Sequence, residues 1–240
     1  MRVFVKICGI TSSHDALLAT AVGADALGFV FAPSVRQVQP ADVREIARRL
    51  PHGVTTVGVF RNERPERIVT IVSKVGLHGV QLSGHEPLSE VRWIRERVPF
   101  VIQAFTAGDP ALAAAVNSPA DVILVDSPDP GSGRVFDWRL AEGAPSGVRI
   151  LLAGGLTAHN VGDAIRLVRP WGVDVSSGVE VAPGAKDPRK LRLFIEAARE
   201  AGAELTGPAL DLSDVEPRGE RRAVGQVAGE SRPFDWQVDE

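Results

Sequence analysis

The chain has 240 residues, of which 44% are hydrophobic and 24% are charged, and its net charge at pH 7 is −3. That length suits one α/β domain or two small domains, and the hydrophobic fraction excludes a wholly disordered chain. The slight negative charge gives nucleic-acid binding no electrostatic support, and because no run of about 18 uncharged apolar residues occurs, no membrane partner is expected.

Short apolar runs alternate along the chain with amphipathic stretches, in which apolar residues recur at three- and four-residue spacings. In chain order, the runs predict eight strands at residues 3–8, 26–31, 55–60, 79–82, 100–105, 122–126, 149–154 and 172–177. The amphipathic stretches predict helices near residues 12–22, 40–49, 64–75, 87–97, 109–117, 137–142, 158–168 and 187–200. Asp109-Pro110 and Asp187-Pro188 support two of these helices, because each pair places a capping residue before a first-turn proline.

The eight strand–helix units follow one another without a hairpin signal, which is the pattern of a (β/α)8 barrel. We therefore predict an α/β fold, a single-domain TIM barrel formed by residues 1–202. A doubly wound open sheet is the alternative, because periodicity alone cannot show that a sheet closes. The count of eight favours the barrel.

Residues 203–240 differ from the rest of the chain in charge and pattern. They contain nine carboxylates and four arginines, a net charge of −5, which leaves +2 for residues 1–202. With few apolar residues and no sustained periodicity, this segment is predicted to be a disordered acidic tail. The sequence indicates no partner for it.

Chemistry in a TIM barrel is found where strands end and the following loops begin. Cys8 ends the first predicted strand and Asp126 the sixth, on opposite sides of a closed mouth, as an acid–base pair requires. A thiolate at Cys8 could act as a base or a nucleophile, and a carboxylate at a buried strand tip is costly unless paired or functional. Lys6, on the same strand face as Cys8, could favour the thiolate. Equally, it could be an interior lysine neutralised by a carboxylate.

The residues in the loops after predicted strands 7 and 8 predict a phosphate-binding site. Gly154-Gly155 follow one strand and Ser176-Ser177 end the other, so backbone N–H groups can approach an anion closely. These two loops are the recurrent phosphate site of TIM barrels, although a glycine pair can also merely form a tight turn. Arg36, past strand 2, lies where its guanidinium could hold a carboxylate through two hydrogen bonds.

The sequence indicates no metal and no cofactor. The five histidines lack metal-ligand spacings such as HxH or HExxH, and no GxGxxG follows a strand. The single cysteine cannot form an internal disulfide, and the N-terminal MRVFVKICGI is too soon interrupted by polar residues to be a secretory signal. We therefore expect a cytoplasmic protein.

Over residues 3–200 the chain resembles the phosphoribosylanthranilate isomerases of tryptophan biosynthesis. Several long motifs in the family's order carry the resemblance: VKICGIT at 5–11, GADALGFVF at 23–31, VGVF at 57–60, VQLSGHE at 80–86, LVDS at 124–127, GSGRVFDW at 131–138, LLAGGL at 151–156 and DVSSGVE at 174–180. One departure is Ser83, where the family commonly has the histidine of VQLHG.

The resemblance implies an isomerase that performs the Amadori rearrangement of N-(5-phosphoribosyl)anthranilate, a small-molecule substrate, in the third step of tryptophan synthesis from chorismate. It implies Asp126 as the general acid that opens the furanose ring and Cys8, as thiolate, as the general base at the sugar C2. It implies no metal or cofactor, because both proton transfers use side chains. Arg36 matches the arginine that faces the anthranilate carboxylate. The phosphate-side segments of the family are matched by Gly154, Gly155, Asp174, Ser176 and Ser177.

Two alternatives remain open at this point. The histidine-pathway isomerase performs the same rearrangement on another phosphoribosyl compound. That family is characterised by a pair of catalytic carboxylates, with aspartate where this chain has Cys8. The second alternative is a non-catalytic barrel that binds a partner. Cys8, Asp126, Arg36 and the two phosphate loops argue against it.

Overall fold

A computed structural model of the chain describes residues 2–127 and 147–205. Eight parallel strands pair in sequence order and the eighth pairs with the first, so the sheet closes into a barrel. The predicted TIM barrel is confirmed, and the open-sheet alternative is wrong. The strands are β1 (Phe4–Cys8), β2 (Ala26–Val30), β3 (Thr55–Phe60), β4 (Gly79–Leu82), β5 (Val101–Thr106), β6 (Val122–Asp126), β7 (Ile150–Leu152) and β8 (Gly172–Val175).

The helices of the described ranges lie outside the barrel; six of them connect successive strands and the seventh follows the last strand. They are α1 (Ser13–Ala21), α2 (Pro40–Ala47), α3 (Pro65–Val75), α4 (Leu88–Arg95), α5 (Pro110–Ala113), α6 (Val161–Val168) and α7 (Pro188–Glu204). Proline opens four of them, α2, α3, α5 and α7, because its fixed φ is already helical and its missing N–H needs no partner there. None of these helices is long and apolar enough to cross a membrane.

Three helix predictions differ from the structure or lie beyond it. The helix predicted at 109–117 is only α5, followed by a 3-10 turn at Ala114–Asn117. The helix predicted at 137–142 lies outside the described residues. The last helix, α7, continues to Glu204, two residues past the predicted barrel boundary, and the remainder of the predicted tail, from residue 206, lies outside the described residues.

Two apolar layers form the core, one inside the barrel and one between the strands and the helices. Because strand side chains alternate in direction, each strand contributes to both layers. Phe4 of β1 and Trp171, just before β8, stack at the amino-terminal end of the barrel with ring centroids 4.3 Å apart. The interior layer also contains Val57, Ile102, Val122, Leu124, Leu151 and Ala153.

A short antiparallel hairpin follows β8, and the sequence showed no signal for it. Its strands are β9 (Glu180–Ala182) and β10 (Ala185–Lys186), and Gly184 between them has a φ of +81°. A positive φ at this turn suits glycine, which has no Cβ to clash. Strands of three and two residues are too short to show an alternating pattern.

Candidate active site

The carboxyl-terminal ends of β1, β6 and β8 form a polar mouth above the apolar interior. Cys8 is the last residue of β1 and is 8% exposed, and Asp126 is the last residue of β6. Asp126 lies two residues after Leu124 of the interior layer, so both side chains share the inner face of their strand. The structure thus brings Cys8 and Asp126, both predicted from the sequence, to the same mouth.

Lys6 and Asp174 form a buried ion pair directly beneath this mouth. The Nζ of Lys6 donates to Oδ1 of Asp174 at 2.8 Å, and Lys6 is fully buried. Burial alone would lower the pKa of Lys6, but the charges of Asp174 and Cys8 outweigh it and raise that pKa. Lys6 is therefore an interior lysine neutralised by a carboxylate, and it also acts on Cys8.

Burial dominates the titration of Cys8. It raises the pKa of the thiol, and the nearby charge of Lys6 opposes that rise without cancelling it. The carboxylate of Asp174 raises the pKa further, whereas Lys186 lowers it. The expectation that Lys6 favours the thiolate has the right sign, but burial outweighs Lys6 and the net shift of the Cys8 pKa is upward.

Gly28 of β2 makes room for the thiol, and sequence reasoning missed it. A Cβ at Gly28 would lie 2.8 Å from Sγ of Cys8 and 3.0 Å from Nζ of Lys6. Because real Cβ atoms do not approach heavy atoms so closely, only glycine fits beside this pair. The strand register places Gly28 opposite Cys8, so this contact could not be found without the strand pairing.

Asp126 is held in an environment that favours its protonated form. Burial raises the pKa of this carboxyl to about 6, although the backbone N–H of Ser127, 2.7 Å from Oδ1, partly stabilises the charge. The carboxylate of Asp174 raises the pKa further, and Lys6 lowers it. A carboxyl that titrates near neutral pH can donate a proton to a substrate.

The Arg36 side chain lies across the end of β1 and is held by Glu180 of the hairpin. Its Nε and Nη2 donate to the two carboxylate oxygens of Glu180 at 2.8 and 2.7 Å. A Cβ at Gly9, the residue after Cys8, would lie 2.5 Å from Cδ of Arg36. Sequence reasoning predicted Arg36 but missed Glu180, whose only sequence signal was its place in the DVSSGVE motif.

Lys186 is a second residue that the sequence analysis missed. Its side chain is fully buried, and its Nζ donates to Oε1 of Glu180 at 2.8 Å and to the carbonyl oxygen of Cys8 at 2.6 Å. Burial lowers the pKa of Lys186, and Glu180 offsets only part of that effect. No local pattern marks Lys186 as buried, because it follows a glycine turn in a two-residue strand.

The loops after β7 and β8 lie side by side at the mouth, and the loop after β8 adjoins the end of β1. Gly154 and Gly155 have φ values of +91° and +64°, so the pair does make a tight left-handed turn. Ser177 begins a 3-10 turn after β8, and Oγ of the preceding Ser176 is buried without a hydrogen-bond partner in the described part of the chain. The cleft beside these loops, about 380 Å³, is lined by Leu156, Thr157, Ala158, His159, Ser177, Gly178, Lys190 and Leu193.

Three other polar residues of the barrel strands have different surroundings. Asp174 pairs with Lys6 within the barrel, so it lies with the Cys8 cluster rather than with the phosphate loops. Gln81 of β4 donates to Oγ of Ser83 at 3.0 Å, while its Oε1 is buried without a partner among the described residues. Gln103 of β5 points outward, where its Oε1 accepts a hydrogen bond from Ser118.

Two further features of this region concern metal binding and a family motif. Within residues 2–127 and 147–205, no group of three or more His, Cys, Asp or Glu side chains could hold a metal ion. The segment GSGRVFDW at 131–138, one of the motifs that carry the family resemblance, lies outside the described residues.

A family model and a curated relative that match this chain are both described as N-(5'-phosphoribosyl)anthranilate isomerase. A sequence model of the family described as N-(5'phosphoribosyl)anthranilate (PRA) isomerase matches residues 5–197, from β1 into α7. The N-(5'-phosphoribosyl)anthranilate isomerase of Desulforudis audaxviator is 48% identical over 204 residues, which cover 82% of this chain and 98% of that protein.

Solved structures show the same similarity. Phosphoribosyl anthranilate isomerase from Thermus thermophilus is 39% identical and has a TM-score of 0.77, covering 81% of this chain and 97% of that chain. A second crystal structure, of an isomerase in complex with reduced 1-(o-carboxyphenylamino)-1-deoxyribulose 5-phosphate, is 43% identical with a TM-score of 0.74. It covers 82% of this chain and 99% of that chain.

Proposed function

The chain belongs to the N-(5'-phosphoribosyl)anthranilate (PRA) isomerase family, and from that membership we propose how its own side chains convert PRA into 1-(2-carboxyphenylamino)-1-deoxyribulose 5-phosphate in tryptophan synthesis. The observation that carries the proposal is the shared mouth of Cys8 and Asp126, each at the end of its strand. A relative of similar fold has been crystallised with a reduced form of this product.

Asp126 is the general acid of the first step. Its protonated carboxyl donates a proton to the furanose ring oxygen, and the bond between that oxygen and C1 breaks. The lone pair of the anilino nitrogen forms a double bond to C1, which leaves a positively charged Schiff base. The pKa of about 6 supports this role, since an ordinary aspartate is almost entirely ionised at neutral pH.

Cys8 is the general base of the second step. Its thiolate removes the proton from C2 of the sugar, and the electrons of that C–H bond form a C1–C2 double bond while the nitrogen becomes neutral. The resulting enolamine takes a proton at C1 and loses one from the C2 hydroxyl, which gives the ketone. Atoms and electrons balance within the substrate, so this isomerisation consumes no oxidant or reductant.

The positive charges around Cys8 support its role as the base. Burial raises the pKa of Cys8 above that of Asp126, so the working state, with the proton on Asp126 and the negative charge on Cys8, is the less populated of the two arrangements. Lys6 and Lys186 both lower the pKa of Cys8 and therefore favour this arrangement. Asp174 serves to neutralise Lys6 in this scheme.

Arg36 and the two loops hold the ends of the substrate. The guanidinium of Arg36 faces the anthranilate carboxylate. The ribose phosphate lies at the loops that contain Gly154, Gly155, Ser176 and Ser177, where positive φ values and a buried free hydroxyl offer room and a donor. The cytoplasmic location and the absence of a nucleic-acid partner stay predictions of the sequence.

Turnover of freshly generated PRA, followed by loss of its fluorescence, tests the proposal. Cys8→Ser and Asp126→Asn should each lower kcat by about 10²- to 10⁴-fold, because each removes one proton-transfer group. Thermal unfolding of each variant shows whether the fold is kept. A folded wild-type chain that leaves PRA unchanged would overturn the proposal, and the histidine-pathway substrate would then be assayed.

A further inference from the structure

Charged side chains donate four hydrogen bonds to Glu180. Two of them come from Arg36, and they define the orientation of its guanidinium. Only its Nε and Nη2 contact Glu180, through parallel bonds of 2.8 and 2.7 Å. The side chains of the pair are 13% and 5% exposed. Among residues 2–127 and 147–205, Nη1 of Arg36 has no hydrogen-bond partner, so one edge of the guanidinium is left for a second carboxylate.

Glu180 is itself held on its other side by lysines. The Nζ of Lys186 donates to Oε1 of Glu180 at 2.8 Å, and that of Lys190 donates to the carbonyl oxygen of Glu180 at 2.7 Å. Lys186 also donates to the carbonyl oxygens of Cys8 and Ser176, at 2.6 and 3.2 Å. One carboxylate therefore joins the arginine to the ends of β1 and β8.

The charge of Glu180 keeps two cations together. Burial opposes its ionisation, but hydrogen bonds from Arg36 and Lys186 outweigh burial and lower the pKa of the carboxyl. Without that negative charge, the fully buried Lys186 would face Arg36 with no counter-charge between them. Arg36, on a loop, is the one that can turn away toward solvent.

We propose that Glu180 is a positioning residue, which sets the guanidinium of Arg36 so that its free edge meets the carboxylate of the substrate beside Cys8. This inference rests on the proposed function, because it names the group that selects a carboxylate-bearing aryl amine. Lys186 supports the arrangement by fixing Glu180 to the backbone of Cys8. The hairpin β9–β10 is thus the element that carries substrate selectivity.

The experiment compares Glu180→Gln with the wild-type chain on two substrates. One is PRA and the other is the analogue made from aniline, which lacks the carboxylate. For PRA we expect KM to rise by about 10- to 100-fold while kcat changes little, since the displaced arginine no longer meets the carboxylate. For the aniline analogue, KM should be the same in both proteins.

Glu204→Gln is the matched control. It removes another arginine–glutamate pair, Arg166–Glu204, from the exposed outer helices. KM and kcat should remain those of the wild type. Calorimetric binding of the reduced product analogue and of its carboxylate-free counterpart repeats the comparison without turnover.

Each outcome is decisive. A fall in KM for PRA would show that Glu180 competes with the substrate for Arg36, and an equal change for both substrates would show a merely structural role; either result overturns the proposal. If Glu180→Gln does not fold, Glu180→Asp keeps the charge but withdraws it by one methylene, and it must still raise KM for PRA alone. Turnover by the wild type reports on the proposed function, whereas the difference between variants reports on Glu180.

Discussion

The two proposed proton-transfer groups, Cys8 and Asp126, are shifted by burial in the same direction with opposite consequences. A raised pKa keeps the Asp126 carboxyl partly protonated near neutral pH, which suits an acid. The same effect makes the thiolate of Cys8 scarce, which hinders a base. Lys6 and Lys186 reduce that second cost because their positive charges stabilise the thiolate.

The pH dependence of kcat/KM should therefore have two limbs that belong to the pair as a whole. Below pH about 6 both groups carry protons and no base is present, so activity falls. Above the raised pKa of Cys8 both groups are ionised and no acid is present, so activity falls again. Between the limits one proton is shared, and activity is highest.

Initial rates across roughly pH 5 to 10 measure this profile. The rate of alkylation of Cys8, the only cysteine of the chain, measured over the same pH range, reports the fraction of thiolate separately. An activity that stays constant through pH 6, in buffers where the protein remains folded, would contradict the assignment of Asp126 as the acid.

At the scale of the elements, the contact between β1 and β2 sets the position of the thiol. Gly28 lies opposite Cys8 in the strand pairing, and a Cβ there would approach both Cys8 and Lys6 too closely. Neither strand can move away, because each is also paired on its other side within the closed sheet. The side chain at position 28 must therefore be absent.

Gly28→Ala should destabilise the fold by about 1–3 kcal/mol through overpacking. It should also lower kcat by about 100-fold, since Sγ of Cys8 is displaced from its position. Urea unfolding and PRA turnover measure the two effects. Gly162→Ala in α6 is the control: its new Cβ would meet only the flexible end of Arg166, at 3.2 Å, so turnover should be unchanged. Equal behaviour of the two variants would show that the glycine beside Cys8 has no special role.

At the scale of the whole molecule, the site depends on the closed barrel and the hairpin, all before residue 206. The family match ends at residue 197 and α7 ends at Glu204. Every residue assigned a role in binding or proton transfer lies between Lys6 and Lys186. Residues 206–240 contribute none of them.

A chain that stops after Leu205 should keep the wild-type kcat/KM for PRA, and its free energy of unfolding should change by less than about 0.5 kcal/mol. Turnover and urea unfolding of the two proteins, side by side, check this. Loss of activity on truncation would assign the acidic segment a part in catalysis. A pull-down with the full chain as control tests whether that segment binds a partner.

Local patterns in the sequence were sufficient for the order of strands and helices and for the placement of Cys8, Asp126 and Arg36 at loop-facing positions. These follow from spacing along the chain, because side-chain direction in a strand repeats every second residue. Only the tertiary structure decided that the sheet closes, that Lys6 pairs with Asp174 across 168 residues, and that Arg36 pairs with Glu180 across 144. It also decided that the pKa of Cys8 is raised, since that shift depends on burial and on charges contributed by distant segments.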